Sequence, residues 1–94
     1  SSQEVEAVLY RYPGIVDAAV VGLPDPYWSE AVTAVVVPMP GREISAQDVI
    51  SFCKRELAPY KAPKRVVIMN SLPRNPSGKI LKGLLRKQLS SKPA

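Results

Sequence analysis

Two runs of β-branched and small apolar residues in the first half of the chain constrain its fold more than any other feature. They are IVDAAVVGL at residues 15–23 and AVTAVVV at residues 31–37. Apolar runs of this length, rich in valine and bounded by turn-forming residues, are typical of buried strands. The segment between them, PDPYWSE, is rich in turn-forming residues. The sequence therefore predicts a β-hairpin.

The segment before the hairpin predicts a helix. Its apolar residues recur at helical spacing and are Val5, Val8, Leu9 and Tyr12. Ser1 and Glu4 have the spacing of a capping box, in which each side chain accepts a bond from the backbone N–H of the other residue. Pro13 and Gly14 interrupt the pattern, so we expect the helix to end before the hairpin begins.

The second half of the chain predicts one more strand and two more helices. Ser45 is a favourable N-cap and Pro59 is a stop signal, so we expect a helix between them. The apolar side of this helix comprises Val49, Phe52, Cys53 and Leu57. A short strand is predicted at residues 65–69, a loop at residues 70–78 and a final helix at residues 80–89.

The predicted order, α-β-β-α-β-α, indicates the α+β class, with a small three-stranded sheet covered by helices and a lysine-bearing loop before the last helix. We expect residues 1–94 to form one domain with one core, and residues 90–94 to fray. The sequence contains neither a long apolar run nor the pattern of a signal peptide. A cytoplasmic protein without a membrane span is therefore expected.

Several kinds of site are excluded by composition. Cys53 is the only cysteine, and the chain has no histidine. Disulfides, zinc sites and Ser/His or Cys/His catalytic pairs are therefore excluded within this chain. Because Cys53 lies on the apolar side of the second predicted helix, we expect it to be buried and unreactive.

The charges are distributed unevenly along the chain. Residues 1–59 carry eight acidic and four basic side chains, whereas residues 60–94 carry nine basic side chains and no acidic one. The C-terminal third is therefore expected to present a cationic surface to anionic partners. One alternative is a basic nucleic-acid-binding module, with Tyr60 and Trp28 available to stack on bases. Aromatic residues are sparse, however, and no nucleic-acid-binding motif accompanies the charge.

The stretch PRNPSGKILKGLLR at residues 73–86 places Lys79 between a turn-rich loop and a leucine-rich basic helix. It does not fit the phosphate-binding loop GxxxxGK[ST], because Pro73 and Ile80 replace the glycine and the hydroxyl residue of that motif. Gly78 permits a positive φ or the close approach of a ligand, and the prolines stiffen the loop. Two interpretations are open at this point: a loop that presents Lys79 to a ligand, or a solvated turn with an ordinary surface lysine.

The final helix also has two interpretations. Its apolar residues are Ile80, Leu81, Leu84, Leu85 and Leu89, and they oppose the basic residues Lys82, Arg86 and Lys87. A basic amphipathic helix can bind a membrane surface. A domain this small needs the leucines in its core, however, which favours a core-facing helix with a solvated basic side.

Two long stretches resemble the C-terminal domain of adenylate-forming enzymes, a superfamily of acyl- and aryl-CoA ligases, luciferases and peptide-synthetase adenylation domains. They are GIVDAAVVGLPDPYWSEAVTAVVVP and LAPYKAPKRVVIMNSLPRNPSGKILKGLLR, and the resemblance, which includes their spacing, spans the whole chain. The run LPRNPSGKILK is similar to the acyl-CoA ligase branch, since peptide-synthetase domains usually continue the GK pair differently.

The resemblance implies that Lys79 is the family's adenylation lysine. In the family this lysine enters the active site of a large N-terminal domain that holds ATP, Mg²⁺ and a carboxylic acid. The C-terminal domain then rotates, so that another face meets the active site for thioester formation with CoA. Gly78 and Arg74, which lie in the same loop as Lys79, are also expected to contribute to cofactor binding.

The resemblance further implies a surface for the CoA nucleotide. Trp28, Tyr60 and Lys64 match aromatic and basic residues that border this nucleotide in aryl-CoA ligases. One position departs from the pattern: Ala62 stands where such a relative can carry an arginine. The corresponding phosphate contact is therefore expected to be lost, or supplied by a neighbouring base, Lys61 or Arg65.

The chain is accordingly interpreted as the C-terminal lid domain of an ATP-dependent carboxylic acid:CoA ligase. The large domain, the hinge and a glycine-rich loop are expected before Ser1, so the chain alone should fold without ATP, Mg²⁺ or CoA and be inactive. Its expected partners are its own N-terminal domain and the substrates. We also hypothesise that a lysine acetyltransferase modifies Lys79, because acetylation would remove the charge on which its role depends.

Overall fold

The computed structural model describes residues 1–90 of the chain. Its elements, in chain order, are α1 (Ser2–Tyr10), β1 (Ile15–Asp25), β2 (Ser29–Pro38), α2 (Ala46–Glu56), a short 3₁₀ turn (Pro59–Lys61), β3 (Arg65–Ile68) and α3 (Lys82–Ser90). This order confirms the predicted α+β class. Of the segment expected to fray, Ser90 is the last residue of α3, and residues 91–94 lie outside the described part of the chain.

The three strands form one mixed sheet in the order β1-β2-β3. β1 and β2 pair antiparallel from Ile15 opposite Pro38 to Asp25 opposite Ser29, which confirms the hairpin. Both strands are longer than predicted because the ladder continues into the turn-rich segment. β3 pairs parallel to β2, on the side away from β1. β1 is therefore an edge strand, with one row of backbone groups not paired by the sheet.

Helices cover both faces of the sheet, and the buried residues form two cores, one on each face, rather than the single core expected. Alternate residues of β1 point to opposite faces, as a strand requires: Ala18 and Val20 pack with α1 and α2, whereas Ala19 and Val21 pack with α3 and the segment before it. The first core includes Cys53, which is fully buried, and burial raises the pKa of its thiol. Cys53 is thus a packing residue, as expected.

α3 contributes its leucines to the second core, which confirms the core-facing interpretation with one exception. Leu85 is fully buried, and Leu89 packs at the edge of the same core. Leu84 is 44% exposed, so its predicted place inside is wrong. No helix within residues 1–90 is long and apolar enough to cross a membrane.

The two predicted helix caps have opposite outcomes. Ser45 caps α2, since its Oγ accepts a hydrogen bond from the backbone N–H of Asp48 at 3.2 Å. The capping box of α1 is wrong, because the Ser1 side chain makes no capping bond. The Glu4 carboxylate instead accepts a hydrogen bond from the Lys61 ammonium at 3.1 Å, and this contact ties α1 to the 3₁₀ turn.

Candidate functional site

The segment that carries Lys79 folds back on itself as a small hairpin, which we call the lysine loop (residues 73–81). Arg74 and Ile80 form an antiparallel bridge. The Asn75 N–H donates to the Lys79 carbonyl at 3.0 Å, and the Leu81 N–H donates to the Pro73 carbonyl at 2.9 Å. Because Ile80 and Leu81 belong to this hairpin, α3 begins at Lys82 rather than at residue 80 as predicted.

The tip of the lysine loop is held by the side chain of Asn75. Its Oδ1 accepts hydrogen bonds from the Ser77 hydroxyl and from the Lys79 N–H, both at 2.9 Å. Gly78 has a φ of +90°, in the left-handed region that favours glycine. A Cβ added there would meet no atom within 4 Å. The positive φ therefore accounts for this glycine within the described residues, and the close approach of a ligand to Gly78 stays a prediction.

Lys79 itself is exposed. Salt bridges within residues 1–90 involve other basic side chains of the C-terminal third, among them Arg74 and Lys82, but not Lys79. An open groove of ≈ 910 Å³ runs along the loop and is lined by Lys79, Arg74 and Tyr10, among others. The ammonium of Lys79 is therefore available to an anion from outside the domain.

Arg74 connects the lysine loop to β1. Its guanidinium donates to the Gly78 carbonyl and, at 2.7 and 2.8 Å, to both carboxylate oxygens of Asp17. The Tyr10 hydroxyl donates to the same carboxylate at 2.7 Å. Burial acts to raise the pKa of Asp17, but the hydrogen bonds from Arg74 and Tyr10 outweigh it, so this pKa lies below its ordinary value. Sequence reasoning missed Asp17 and Tyr10.

The turn end of the β1–β2 hairpin, far from the lysine loop, brings together two of the predicted nucleotide-binding residues. The Lys64 ammonium lies over the Trp28 ring, 4.5 Å from the ring centroid. Trp28 is 52% exposed. Its backbone N–H, like that of Tyr27, donates to the Asp25 carboxylate at 2.8 Å. The turn that carries the indole is therefore fixed by Asp25, and the indole lies beside a cation.

Tyr60 stands apart from this pair. It is 78% exposed and lies in the 3₁₀ turn, and its ring is approached by the Lys61 ammonium at 5.9 Å. The ring neighbour of Trp28 within residues 1–90 is Tyr27, at a centroid distance of 4.8 Å. The structure therefore pairs Trp28 with Lys64 and does not bring the Tyr60 ring into contact with either.

The neighbours of Ala62 differ in their relation to the Trp28 turn. Ala62 is buried in the core, and Lys61 is paired with Glu4 on α1. Arg65 lies at the turn, where its guanidinium donates to the Pro24 carbonyl at 3.3 Å and is 3.8 Å from the Asp25 carboxylate. Of the two bases considered as substitutes, Arg65 is the one that contacts the residues leading into the Trp28 turn.

Known proteins share this arrangement of elements. The family described as the AMP-binding enzyme C-terminal domain matches residues 4–79. The chain belongs to this family. The match to the AMP-binding enzyme C-terminal domain includes the whole sheet, α2 and the lysine loop as far as Lys79, in agreement with the resemblance. Neither the family nor the relatives described next support the nucleic-acid-binding alternative.

The relatives of this domain are much longer than the chain, and they are named as ligases. The chain is 46% identical over 88 residues to the long-chain-fatty-acid–CoA ligase FadD13 of Mycobacterium tuberculosis, which covers 94% of the chain and 17% of the relative. It is 48% identical over 83 residues to the fatty acid–[acyl-carrier-protein] ligase ScoC of Streptomyces coeruleorubidus, which covers 88% of the chain and 16% of the relative. The chain thus spans about a sixth of the length of these relatives.

A solved structure gives the same result for the fold. The ATP-bound structure of MatB from Rhodopseudomonas palustris superimposes with a TM-score of 0.89 and 37% sequence identity. The match covers 96% of this chain and 18% of that one. The fold of this chain therefore recurs within a larger protein whose structure was solved with ATP bound.

Proposed function

We propose that the chain acts as the C-terminal domain of an ATP-dependent carboxylic acid:CoA ligase. The single observation that carries this proposal is an exposed lysine, Lys79, at the tip of a hydrogen-bonded loop, in a domain whose relatives are named as ligases. Residues 1–94 are proposed to be one lid domain, working with a large N-terminal domain of the same protein. The domain supplies a cation and an aromatic surface, and the substrate pockets belong to the larger partner.

Lys79 is proposed to act in the first half-reaction. There a carboxylate oxygen attacks the α-phosphorus of ATP, the bond to the β-phosphate oxygen breaks, and pyrophosphate leaves. The two anions repel each other, and negative charge develops on the oxygens around phosphorus. An ammonium held at a fixed position offsets this charge without reorganising as the reaction proceeds. The rigid lysine loop meets that requirement, because its hydrogen bonds are formed within the domain.

Magnesium would neutralise phosphate charge when bound with ATP. Within residues 1–90 there is no group of three or more carboxylate or thiol side chains arranged to hold a metal ion. We therefore assign no residue of this domain to the metal, and we propose that the large domain holds it. The contribution of this chain to the phosphates is the Lys79 ammonium.

Trp28 and Lys64 are proposed to act in the second half-reaction, at the nucleotide of CoA. An adenine ring needs a flat apolar face and a 3′-phosphate needs a cation, and these two side chains offer both, held 4.5 Å apart. Arg65 is added to this surface because it lies at the same turn. Tyr60 remains a candidate at its edge. CoA is the proposed acceptor, although the relative ScoC is named as a fatty acid–[acyl-carrier-protein] ligase.

The proposed function is tested in the full-length enzyme by separating the two half-reactions. Lys79→Ala should lower pyrophosphate release from acid and ATP by about 10²-fold or more, as expected for the loss of a preorganised charge contact. Its reaction of premade acyl-adenylate with CoA should be nearly unchanged. An equal loss in both half-reactions would refute the role of Lys79. Acetylation at Lys79 stays a hypothesis, and it requires that the stoichiometrically acetylated enzyme lose adenylation in the same way.

A further inference from the structure

The outer edge of β1 is occupied by three polar side chains. The Val20 N–H donates to the Glu6 carboxylate at 2.8 Å, and the Ala18 carbonyl accepts from the Tyr10 hydroxyl at 3.3 Å. Asp17 accepts from Tyr10 at the same edge. Such side chains satisfy backbone groups that an edge strand leaves unpaired. Blocking the edge explains why polar residues are there, but not why two of them also bind basic residues across the domain.

Two ion pairs extend from this edge, and they reach different places. The Glu6 carboxylate is 2.7 Å from the Lys82 ammonium, at the first residue of α3. Asp17 is bound to Arg74, inside the lysine loop. Only the second link touches the residue next to Lys79, because the other nitrogen of the Arg74 guanidinium donates to the Gly78 carbonyl.

The Gly78–Lys79 peptide is consequently held at both of its polar atoms. Its carbonyl accepts from Arg74, and its N–H donates to Asn75. With both ends bound, the peptide plane cannot rotate without breaking a hydrogen bond, and the direction in which the Lys79 side chain leaves the backbone is set. Asn75 belongs to the loop itself, whereas Arg74 is anchored to Asp17 on the sheet. The orientation of the loop relative to the sheet therefore depends on Asp17.

We propose that Asp17 and Tyr10 are positioning residues for Lys79 and act through the Arg74 guanidinium. This inference rests on the proposed adenylation role of Lys79. It also gives Arg74 a different role from the cofactor contact expected from the sequence. Arg74 makes three hydrogen bonds within the domain, two to Asp17 and one to Gly78, and the charge of Asp17 offsets its own. Arg74 is therefore a structural link between β1 and the lysine loop.

The test compares two carboxylate-to-amide changes at the same strand edge in the full-length enzyme. Asp17→Asn removes the charge that holds Arg74, whereas the matched control Glu6→Gln removes the charge that holds Lys82 and leaves the lysine loop untouched. Asp17→Asn should lower kcat for pyrophosphate release about tenfold, since small displacements of a catalytic group cost this much or more. Glu6→Gln should change it by less than about twofold, because this partly buried ion pair makes no hydrogen bond to the Gly78–Lys79 peptide.

Two further readouts separate positioning from general damage and from ligand binding. The KM for ATP should stay unchanged in Asp17→Asn, and the reaction of premade acyl-adenylate with CoA should match the wild-type rate. Hydrogen–deuterium exchange in a peptide covering residues 73–81 should rise in Asp17→Asn, but not in Glu6→Gln. Tyr10→Phe, which removes only the hydroxyl, should shift kcat and exchange in the same direction by less, and it serves as the second variant if Asp17→Asn fails to fold.

Three results would overturn the inference: equal rates in Asp17→Asn and Glu6→Gln, unchanged exchange at residues 73–81, or an effect confined to the KM for ATP. The last result would indicate that Arg74 contacts ATP and is not a structural link between β1 and the lysine loop. Lys79→Ala is measured alongside. If Lys79→Ala does not slow adenylation, the proposed function fails, and the exchange measurement alone then decides whether Asp17 positions the loop.

Discussion

Substitution of Gly78 by alanine isolates the conformational contribution of the lysine loop from its contacts. Gly78 has a φ of +90°, and a Cβ added there meets nothing within 4 Å. The cost is therefore backbone strain alone. A left-handed alanine costs about 1–2 kcal/mol, and the reduced freedom of the unfolded chain returns about 0.4–1 kcal/mol. We expect Gly78→Ala to lower the free energy of unfolding by about 1 kcal/mol.

Two other glycines supply matched controls. Gly41 has a φ of +81° and the same open surroundings, so Gly41→Ala should cost a similar amount. Gly83 lies within α3 and also has open surroundings, and its φ is not positive. There alanine should stabilise the domain by about 0.5–1 kcal/mol, because glycine is a poor helix former. Urea denaturation followed by circular dichroism measures all three values.

The functional consequence separates Gly78 from Gly41. Only Gly78→Ala alters the peptide that orients Lys79, so adenylation in the full-length enzyme should fall in this variant and remain at the wild-type rate in Gly41→Ala. The reasoning would be refuted by equal stability changes at Gly78 and Gly83. It would also be refuted by adenylation rates that follow stability alone, with Gly41→Ala as slow as Gly78→Ala.

Four further predictions concern other parts of the domain. Trp28→Ala and Lys64→Ala should each raise the KM for CoA by about fivefold or more, as expected for a lost stacking or phosphate contact, while pyrophosphate release stays unchanged; a defect confined to adenylation would contradict this. Leu85→Ala should lower the free energy of unfolding by about 2–5 kcal/mol because its side chain is fully buried, whereas the half-exposed Leu84→Ala should cost far less; equal losses in denaturation would contradict the core assignment. The pKa of Asp17 is lower in the folded than in the unfolded state, so the stabilisation from its carboxylate is complete above the unfolded-state pKa and is lost as the pH falls through the folded-state pKa. Wild type and Asp17→Asn should therefore converge in stability in strong acid. A constant difference between them would exclude this linkage. The isolated 94-residue chain should fold cooperatively without ATP, Mg²⁺ or CoA and form no acyl-CoA, and any turnover by the purified chain would contradict the assignment of both pockets to the large domain.

Local signals in the sequence predicted the elements well, and the errors arose where a residue pairs with a partner that its local pattern does not include. The hairpin follows from two valine-rich runs, and the cap of α2 follows from Ser45. The start of α3 was placed two residues early because Ile80 fits the helical spacing of the leucines, yet its backbone pairs with Arg74. Ile80 and Leu81 fit the helical periodicity, but their backbones pair within the lysine loop instead of forming the first turn of α3. Glu4 likewise has the spacing of a capping box with Ser1, but in the folded domain its carboxylate pairs with the Lys61 ammonium.

The sequence predicted only those residues of the candidate site that the family resemblance implies. The family resemblance suggested the roles of Lys79, Trp28 and Lys64, and the structure pairs the last two. Asp17 gave no such signal. It lies near the start of β1, a largely apolar strand, and 57 positions before Arg74 in the sequence. No spacing rule connects positions so far apart, so the anchor of the lysine loop became visible only when the strand edge and the loop were seen together.

The distance between the two sites bears on how one domain can serve both half-reactions. The lysine loop is anchored at Asp17, near the start of β1, and the Trp28 turn is anchored at Asp25, at its end. Eight residues of extended strand separate these anchors by about 26 Å. An acyl group bound in one pocket cannot meet both ends of the sheet at once. If Lys79 serves adenylation and Trp28 serves CoA, the domain must reorient between the two steps. A covalent restraint that fixes the domain with Lys79 at the active site should then permit pyrophosphate release and block thioester formation, and formation of both products by the restrained enzyme would show that one orientation suffices.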